Sequence, residues 1–282
     1  MIRAYLGPQG TFSETAARSF GTRVRPYTSV SAALAAVRGG ECDAAVIPLE
    51  NSTSGVVPAT LGELARIGED LWVDGEVEVP VRLALLGASG ASLSGVSRVR
   101  SHPHAHSQCA RWISESLPGV EVVLSDSTAA AAREVAAGGS TAETAIASPE
   151  AAAHYGLSVL VDSVGDRTGA WTRFVSVRPA GEPVLPTGCD RTSLLITHRV
   201  NRPGVLAGSL AEFGARGVNV VWLHSWPDGS SLRRFRFFVD VEGHLDDPPL
   251  ADAVAALRKS ADVVVLGSYA RAPRAVVEEV VR

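Results

Sequence analysis

Pro179, Gly181, Pro183, Pro186 and Gly188 crowd residues 179–188, and this run constrains the fold more than any other feature of the chain. Proline fixes φ and removes a backbone donor, and glycine weakens any regular element, so the segment reads as a linker. The apolar pattern differs on its two sides. Before it, short apolar runs alternate with helical periodicities, as in a parallel sheet with crossover helices. After it come strand 192–198, a helix with Leu206, Leu210 and Phe213 on one face, and strand 218–226. A turn at Asp228-Gly229, strand 232–241, helix 248–258 and strand 262–267 complete a β-α-β-β-α-β order, which is ferredoxin-like. The expected division is an α/β part over 1–180, a linker over 181–190, and an α+β module with a tail over 191–282.

The first part falls into two series. Strands 2–6, 24–28 and 43–48 alternate with a helix ending near Phe20, a helix over 31–38 and a helix over 58–68. The alternating run Val77–Leu86 reads as one long strand, bent at Pro80. After a Gly/Ser-rich interruption at 87–95 the pattern predicts strand 97–101, helix 105–116, strand 120–124, helix 127–137, strand 144–148, helix 149–155 and strand 158–162. Two such series joined by a long strand predict two lobes with a cleft between them, and strand 171–177 is expected to return to the first lobe.

Composition narrows the function classes. Lys and Arg number 26 against 30 Asp and Glu, a formal charge of −4, and the only basic run is Arg233-Arg234-Phe235-Arg236. That excludes nucleic acid as the main partner. With 46% hydrophobic and 20% charged residues a sizeable core is expected. No apolar stretch reaches bilayer length, and Met1–Leu6 reads as a strand rather than a signal peptide. Cys42, Cys109 and Cys189 are too scattered for a disulfide framework or a zinc ribbon, so a cytoplasmic protein is expected.

Several stretches carry side chains suited to a ligand. Val46-Ile-Pro-Leu-Glu-Asn-Ser-Thr-Ser-Gly55 runs from an apolar strand into a polar loop, the place where small ligands sit in open α/β sheets, although a plain strand-to-helix turn gives the same residues. Gly7-Pro-Gln-Gly-Thr-Phe-Ser13 turns tightly into a helix whose N–H groups are open to an anion. In Ser101-His-Pro-His-Ala-His-Ser-Gln108, strand spacing would put three histidines on one side, but Pro103 opens a helix and splays them, so no metal site is expected. Ser101 and Gln108 are the candidates there. Asp126-Ser127-Thr128 and Ser148-Pro-Glu150 read as helix caps. Trp171-Thr-Arg-Phe174 is either a site strand or an interface strand, with Thr172 and Phe174 on one face and Arg173 on the other.

These stretches together resemble the prephenate dehydratase family with a C-terminal ACT regulatory domain. The resemblance rests on Gly7–Ser13, Ile47-Pro-Leu-Glu-Asn-Ser52, Ser101-His-Pro with Gln108-Cys109, Ser127-Thr-Ala129 and Thr172-Arg-Phe174, in the family's order over nearly the whole chain. It implies a two-lobed α/β catalytic domain like type 2 periplasmic binding proteins, an ACT module sensing phenylalanine, and a homodimer or homotetramer. The implied reaction is loss of CO₂ and hydroxide from prephenate, giving phenylpyruvate without metal or organic cofactor. By resemblance Thr172 assists departure of the ring hydroxyl, with Glu50 as its titratable neighbour. Asn51, Ser52, Ser101 and Gln108 hold the carboxylates with the Thr11–Ser13 turn, and Arg173 and Phe174 complete the motif. Asn201, Gly204, Val205, Leu206 and Ser225 are the implied effector residues.

Two departures stand out. Gly169 and Ala170 occupy positions where the family carries an Asn, and His224-Ser-Trp-Pro227 replaces Glu-Ser-Arg-Pro, which predicts weak or absent inhibition by phenylalanine. An arogenate dehydratase or a prephenate decarboxylase on the same scaffold, and a non-catalytic amino-acid sensor, remain as alternatives.

Overall fold

A computed structural model describes residues 1–67, 70–229 and 234–273. Residue 68 of the expected helix, 232–233 of the expected strand, Arg233 of the basic run and the tail from 274 onward lie outside the described residues. The first lobe contains β1 (Ile2–Leu6), α1 (Phe12–Ser19), β2 (Arg23–Tyr27), α2 (Val30–Arg38), β3 (Ala44–Asn51), β4 (Gly55–Val56), α3 (Pro58–Leu64) and β5 (Leu71–Pro80). The second contains β6 (Ala84–Gly87), β7 (Arg98–Ser101), α4 (Pro103–Gln108), α5 (Ala110–Ser116), β8 (Glu121–Leu124), α6 (Thr128–Gly138), β9 (Glu143–Ala147), α7 (Pro149–Tyr155) and β10 (Ser158–Val161). The chain then returns through β11 (Trp171–Pro179) and continues as β12 (Asp190–His198), α8 (Val205–Gly214), β13 (Val220–Pro227), β14 (Phe235–Glu242), α9 (Pro248–Leu257) and β15 (Ala261–Ala270).

Three sheets result. The first runs β2-β1-β3-β11-β5 with β4 on β3, the second β10-β6-β9-β7-β8, and the third β13-β14-β12-β15. The expected single strand over 77–86 is two strands in different sheets. Pro80 ends β5, Val81 N–H donates to Ala170 O at 2.7 Å, and the chain crosses to the second lobe beside the returning segment. These two crossings connect the lobes. The expected helix 105–116 is likewise two helices meeting at Cys109, the first opened by Pro103.

β3 is longer than the apolar pattern indicated. It does not stop at Pro48 but continues to Asn51, pairing antiparallel with β11, whose register shifts between Arg173 and Phe174. The shift accommodates a proline that cannot donate to the ladder. In a strand, successive side chains point to opposite faces. Asn51 and Thr172, and Glu50 and Arg173, are therefore sorted onto different sides of one sheet.

Behind this sheet stands the third one. Leu195, Phe238, Leu266 and Tyr269 share a core with Ile47, Leu61, Val73 and Val175, and Trp222 and Trp226 pack against it. Each fully buried residue of this size contributes about 1.5–3 kcal/mol. The sheets touch at backbone level: a Cβ on Gly267 would lie 2.0 Å from Val73 O, so no other residue fits without separating β15 from β5. Arg236 Nη1 donates to Ala65 O at 2.6 Å, capping the end of α3 across the same boundary. The far face of the third sheet packs Leu194, Ile196 and Val239 on Phe213 of α8 and on Leu250 and Val254 of α9.

Candidate active site

The cleft between the lobes holds a cavity of about 260 Å³. On the first-lobe side its wall is the β1–α1 turn (Gly7, Thr11, Phe12, Ser13), Asn51 at the end of β3, Ser54, Val57, and Thr172 and Phe174 of β11. On the other side are Leu83, His102, His104, Gln108, and Asp126, Ser127 and Thr128 before α6.

Thr172 lies opposite Asn51 in the β3–β11 pair, and Asn51 Nδ2 donates to Thr172 Oγ1 at 2.9 Å. The orientation of that amide is fixed independently. Asn51 Oδ1 accepts from Thr53 N–H at 3.0 Å, Ser54 N–H at 3.1 Å and Thr53 Oγ1 at 2.5 Å, so the nitrogen must face Thr172. With Oγ1 already accepting, the Thr172 hydroxyl hydrogen is left for a ligand. Thr172 is only 8% exposed, so that donor works largely out of water.

Gln108 Nε2 donates to Thr53 Oγ1 at 2.9 Å and ties the second lobe to the Asn51 turn. Thr11 caps α1 by accepting from Glu14 N–H at 3.3 Å, and its hydroxyl points back to Leu6 O and Pro8 O. Thr11 therefore holds the turn, while the first N–H groups of α1, beside Ser13, have no intrahelical acceptor. Tyr155 Oη donates to Gln9 O at 2.7 Å and Ser148 Oγ to Gly10 O at 3.3 Å, so α7 pins this turn from the second lobe. Ser127 caps α6 by accepting from Ala130 N–H at 2.9 Å, leaving Thr128 at the cavity. Two helix N-termini from opposite lobes thus open onto one space. No Lys or Arg lines it among the described residues. The arrangement suits an anion with two acidic groups, held by dipoles rather than by cations.

A family model for prephenate dehydratase matches residues 3–181 and one for the ACT domain matches 192–259. The chain belongs to the prephenate dehydratase family. A prephenate dehydratase from Amycolatopsis methanolica is 45% identical over 276 residues, covering 95% of this chain and 88% of that protein. One from Mycobacterium tuberculosis is 41% identical, covering 98% and 89%. Among solved structures, the prephenate dehydratase of Arthrobacter aurescens in complex with L-Phe superposes with a TM-score of 0.88 at 39% identity, covering 96% of this chain and 90% of that one. GqqA, described as a novel type of quorum quenching acylase, superposes with the same TM-score at 33% identity, covering 97% and 99%.

Of the residues the family resemblance picked out, Thr11, Ser13, Asn51, Gln108, Thr172 and Phe174 line the cleft cavity. Four do not. Glu50 was expected beside Thr172, but β3 continues through it and turns it to the opposite face, into a separate cavity of about 380 Å³ with Glu78, Trp171 and Trp222. Ser52 lines that second cavity too, and its Oγ accepts from Trp171 N–H at 2.9 Å, closing the sheet. Ser101 is fully buried and donates to Ile146 O at 3.0 Å, which joins β7 to β9 and leaves nothing for substrate.

Arg173 follows Thr172 and so faces the ACT sheet. Its Nε meets Glu76 at 2.7 Å, its Nη1 meets Asp240 at 2.6 Å and its Nη2 donates to Tyr269 Oη at 3.1 Å. Burial opposes its charge, but Asp240, Tyr269 and Glu76 outweigh that and keep the guanidinium protonated. Arg191 adds a second contact to Glu76 at 2.9 Å. Conversely, His102, His104, Asp126 and Thr128 line the cleft without having been counted as ligand residues. Asp126 and Thr128 read as parts of a cap, and the histidines were weighed only as metal ligands.

In the ACT module, Asn201, Gly204, Val205 and Leu206 line a pocket of about 300 Å³ with His198, Arg234, Phe235 and Phe237. His198 Nε2 lies 2.8 Å from Ser209 Oγ, and burial lowers its pKa. Ser225 does not line this pocket; it is exposed on β13, opposite Phe237 in the strand pair. Trp226 packs toward α3, its ring 3.5 Å from where a Cβ on Gly62 would be.

Proposed function

We infer that the chain catalyses the decarboxylative dehydration of prephenate to phenylpyruvate, a step toward phenylalanine, in the cleft. The observation that carries this reading is the Thr172 hydroxyl, held by Asn51 and left free to donate, in a cavity open to two helix N-termini and, among the described residues, lined by no Lys or Arg. Prephenate is a dianion, and the N-termini of α1 and α6 offer one binding point for each carboxylate. An Arg on the ring carboxylate would stabilise the ground state against loss of CO₂. Dipoles and the apolar walls of Val57, Val81, Leu83 and Phe174 bind that group without doing so.

The C–C bond to the ring carboxylate breaks and its electron pair enters the ring. The C–O bond para to it breaks and the pair leaves with oxygen. Thr172 donates its hydrogen bond to that oxygen as charge develops there, and solvent supplies the proton that makes water. Aromaticity provides the driving force, so the protein has to orient the substrate and ease one departure. Incubating the protein with prephenate and reading phenylpyruvate by its absorbance in base tests the assignment. Running arogenate alongside separates the two substrates.

The pocket at Asn201–Leu206 supports a role as an amino-acid effector site. His224 and Trp226 do not line it, so the weak affinity for phenylalanine rests on the family resemblance, in which a carboxylate and a guanidinium stand at these two positions. β13 is an edge strand exposing Val221 and Leu223, with Phe235 exposed on β14, which supports assembly into a homodimer or larger homo-oligomer. No helix among the described residues is long and apolar enough to cross a membrane, and a cytoplasmic enzyme fits the small-molecule chemistry. The division at 181–190 into a catalytic domain and a regulatory domain belongs to the same reading.

A further inference from the structure

Among the described residues, the titratable groups lining the cleft are His102, His104 and Asp126, all from the second lobe. Of these, His102 has the most constrained geometry. It is the residue before Pro103 and the N-cap of α4, and its Nδ1 accepts from His104 N–H at 3.3 Å. A ring nitrogen that accepts carries no proton, so in the neutral ring the proton sits on Nε2. Nε2 has no acceptor among the described residues, and the half-buried ring lines the cleft on the wall facing Thr172.

We propose that His102 is a further catalytic residue, a neutral imidazole whose cap-fixed tautomer presents Nε2–H to the substrate carboxylate held by the second lobe. The proposal rests on the reading of the cleft as a prephenate site. A neutral donor suits that site for the same reason that the absence of Lys and Arg does. It fixes the carboxylate's position without the full positive charge that would hold the carboxylate against departure as CO₂. The surroundings keep the ring neutral: burial lowers its pKa first, His104 adds to this, and Asp126 opposes it. Protonation would place a hydrogen on Nδ1, break the cap and set a cation beside the carboxylate. Turnover should therefore fall as pH drops through the His102 pKa, below the ordinary imidazole value.

Two substitutions separate this role from capping. In His102→Asn the amide oxygen takes the place of Nδ1 and still caps α4, while nothing remains at the Nε2 position. In His102→Gln the longer amide brings an N–H back to where Nε2 was. The expected result is an unchanged Tm for H102N, with kcat/KM for prephenate lowered about 10²–10³-fold, the cost of one lost donor. H102Q should recover roughly tenfold of that loss, and its rate should lack the acid limb seen in the wild type. The proposal is overturned if H102N turns over within about threefold of wild type. It is equally overturned if H102Q recovers nothing, since a purely structural residue would behave so. Wild-type turnover of prephenate, measured first, keeps the two levels apart: no turnover removes the reading of the cleft, whereas wild-type turnover with an unaffected H102N removes His102 alone.

Discussion

Asn51 donates its side-chain N–H to the hydroxyl oxygen of Thr172 at 2.9 Å, across neighbouring strands and at matched register. One amide thus does two things: its oxygen folds the Thr53–Ser54 turn, and its nitrogen decides which way the Thr172 hydroxyl hydrogen can point.

Replacing Asn51 separates these roles. Asn51→Ala removes both and should lower kcat by about 10²–10³-fold. N51D keeps an acceptor for the turn but offers Thr172 an acceptor instead of a donor, so the hydroxyl turns toward the new carboxylate and away from substrate. Steady-state kinetics should show a loss of similar size in N51D at a near-normal Tm. Full activity in N51D would mean that the amide does not orient the hydroxyl.

Glu50 faces away from the cleft, so Glu50→Gln should leave kcat/KM for prephenate within about threefold of wild type. A loss of about a hundredfold or more would return a carboxyl group to the proton chemistry and contradict the placement of Glu50 in the rear cavity.

Arg173 is expected to matter for assembly of the two domains. Its side chain is 7% exposed and neutralises Glu76 and Asp240 at their boundary. Arg173→Met leaves Asp240 without its cation and Glu76 with Arg191 alone, and breaking such a buried pair costs about 3–5 kcal/mol. Thermal denaturation should show a Tm lower by on the order of 10 °C. An unchanged Tm would mean that the network contributes nothing net.

Calorimetry with phenylalanine should give a dissociation constant in the millimolar range or weaker, and the double variant H224E/W226R should bind more tightly. Micromolar binding by the wild type would show that the pocket near Asn201–Leu206 does not need the acid–guanidinium pair.

Much of the architecture was legible because each part has its own period. The βα alternation, the Pro/Gly run before Asp190 and the strand-helix-strand pattern after it are local signals, and the return of β11 to the first sheet follows from them. Lining residues such as Thr11, Asn51, Gln108 and Thr172 were legible as motif members. What failed was facing. Pro48 looked like the end of a strand, and only the register shift in β11 lets β3 run on to Asn51 and turn Glu50 away. Ser101 and Ser52 look like ligand residues in sequence, yet their hydroxyls are used by Ile146 O and Trp171 N–H, partners 45 and 119 residues away. For Trp171–Phe174 the interface-strand alternative gave the facing pattern observed, with Arg173 on the side opposite Thr172. Asp126 is not legible as a cleft residue because a cap and a ligand wall use the same residue types, and His102 reads in sequence only as one of three candidate metal ligands.

The central claim is that the Thr172 hydroxyl donates to the departing oxygen of prephenate. The most direct measurement is kcat for phenylpyruvate formation by Thr172→Val, which keeps the shape and deletes the hydroxyl, beside Thr172→Ser, which keeps it. The account predicts a loss of about 10²–10⁴-fold for the valine variant and a far smaller one for serine. A valine variant that turns over prephenate at nearly the wild-type rate would contradict it.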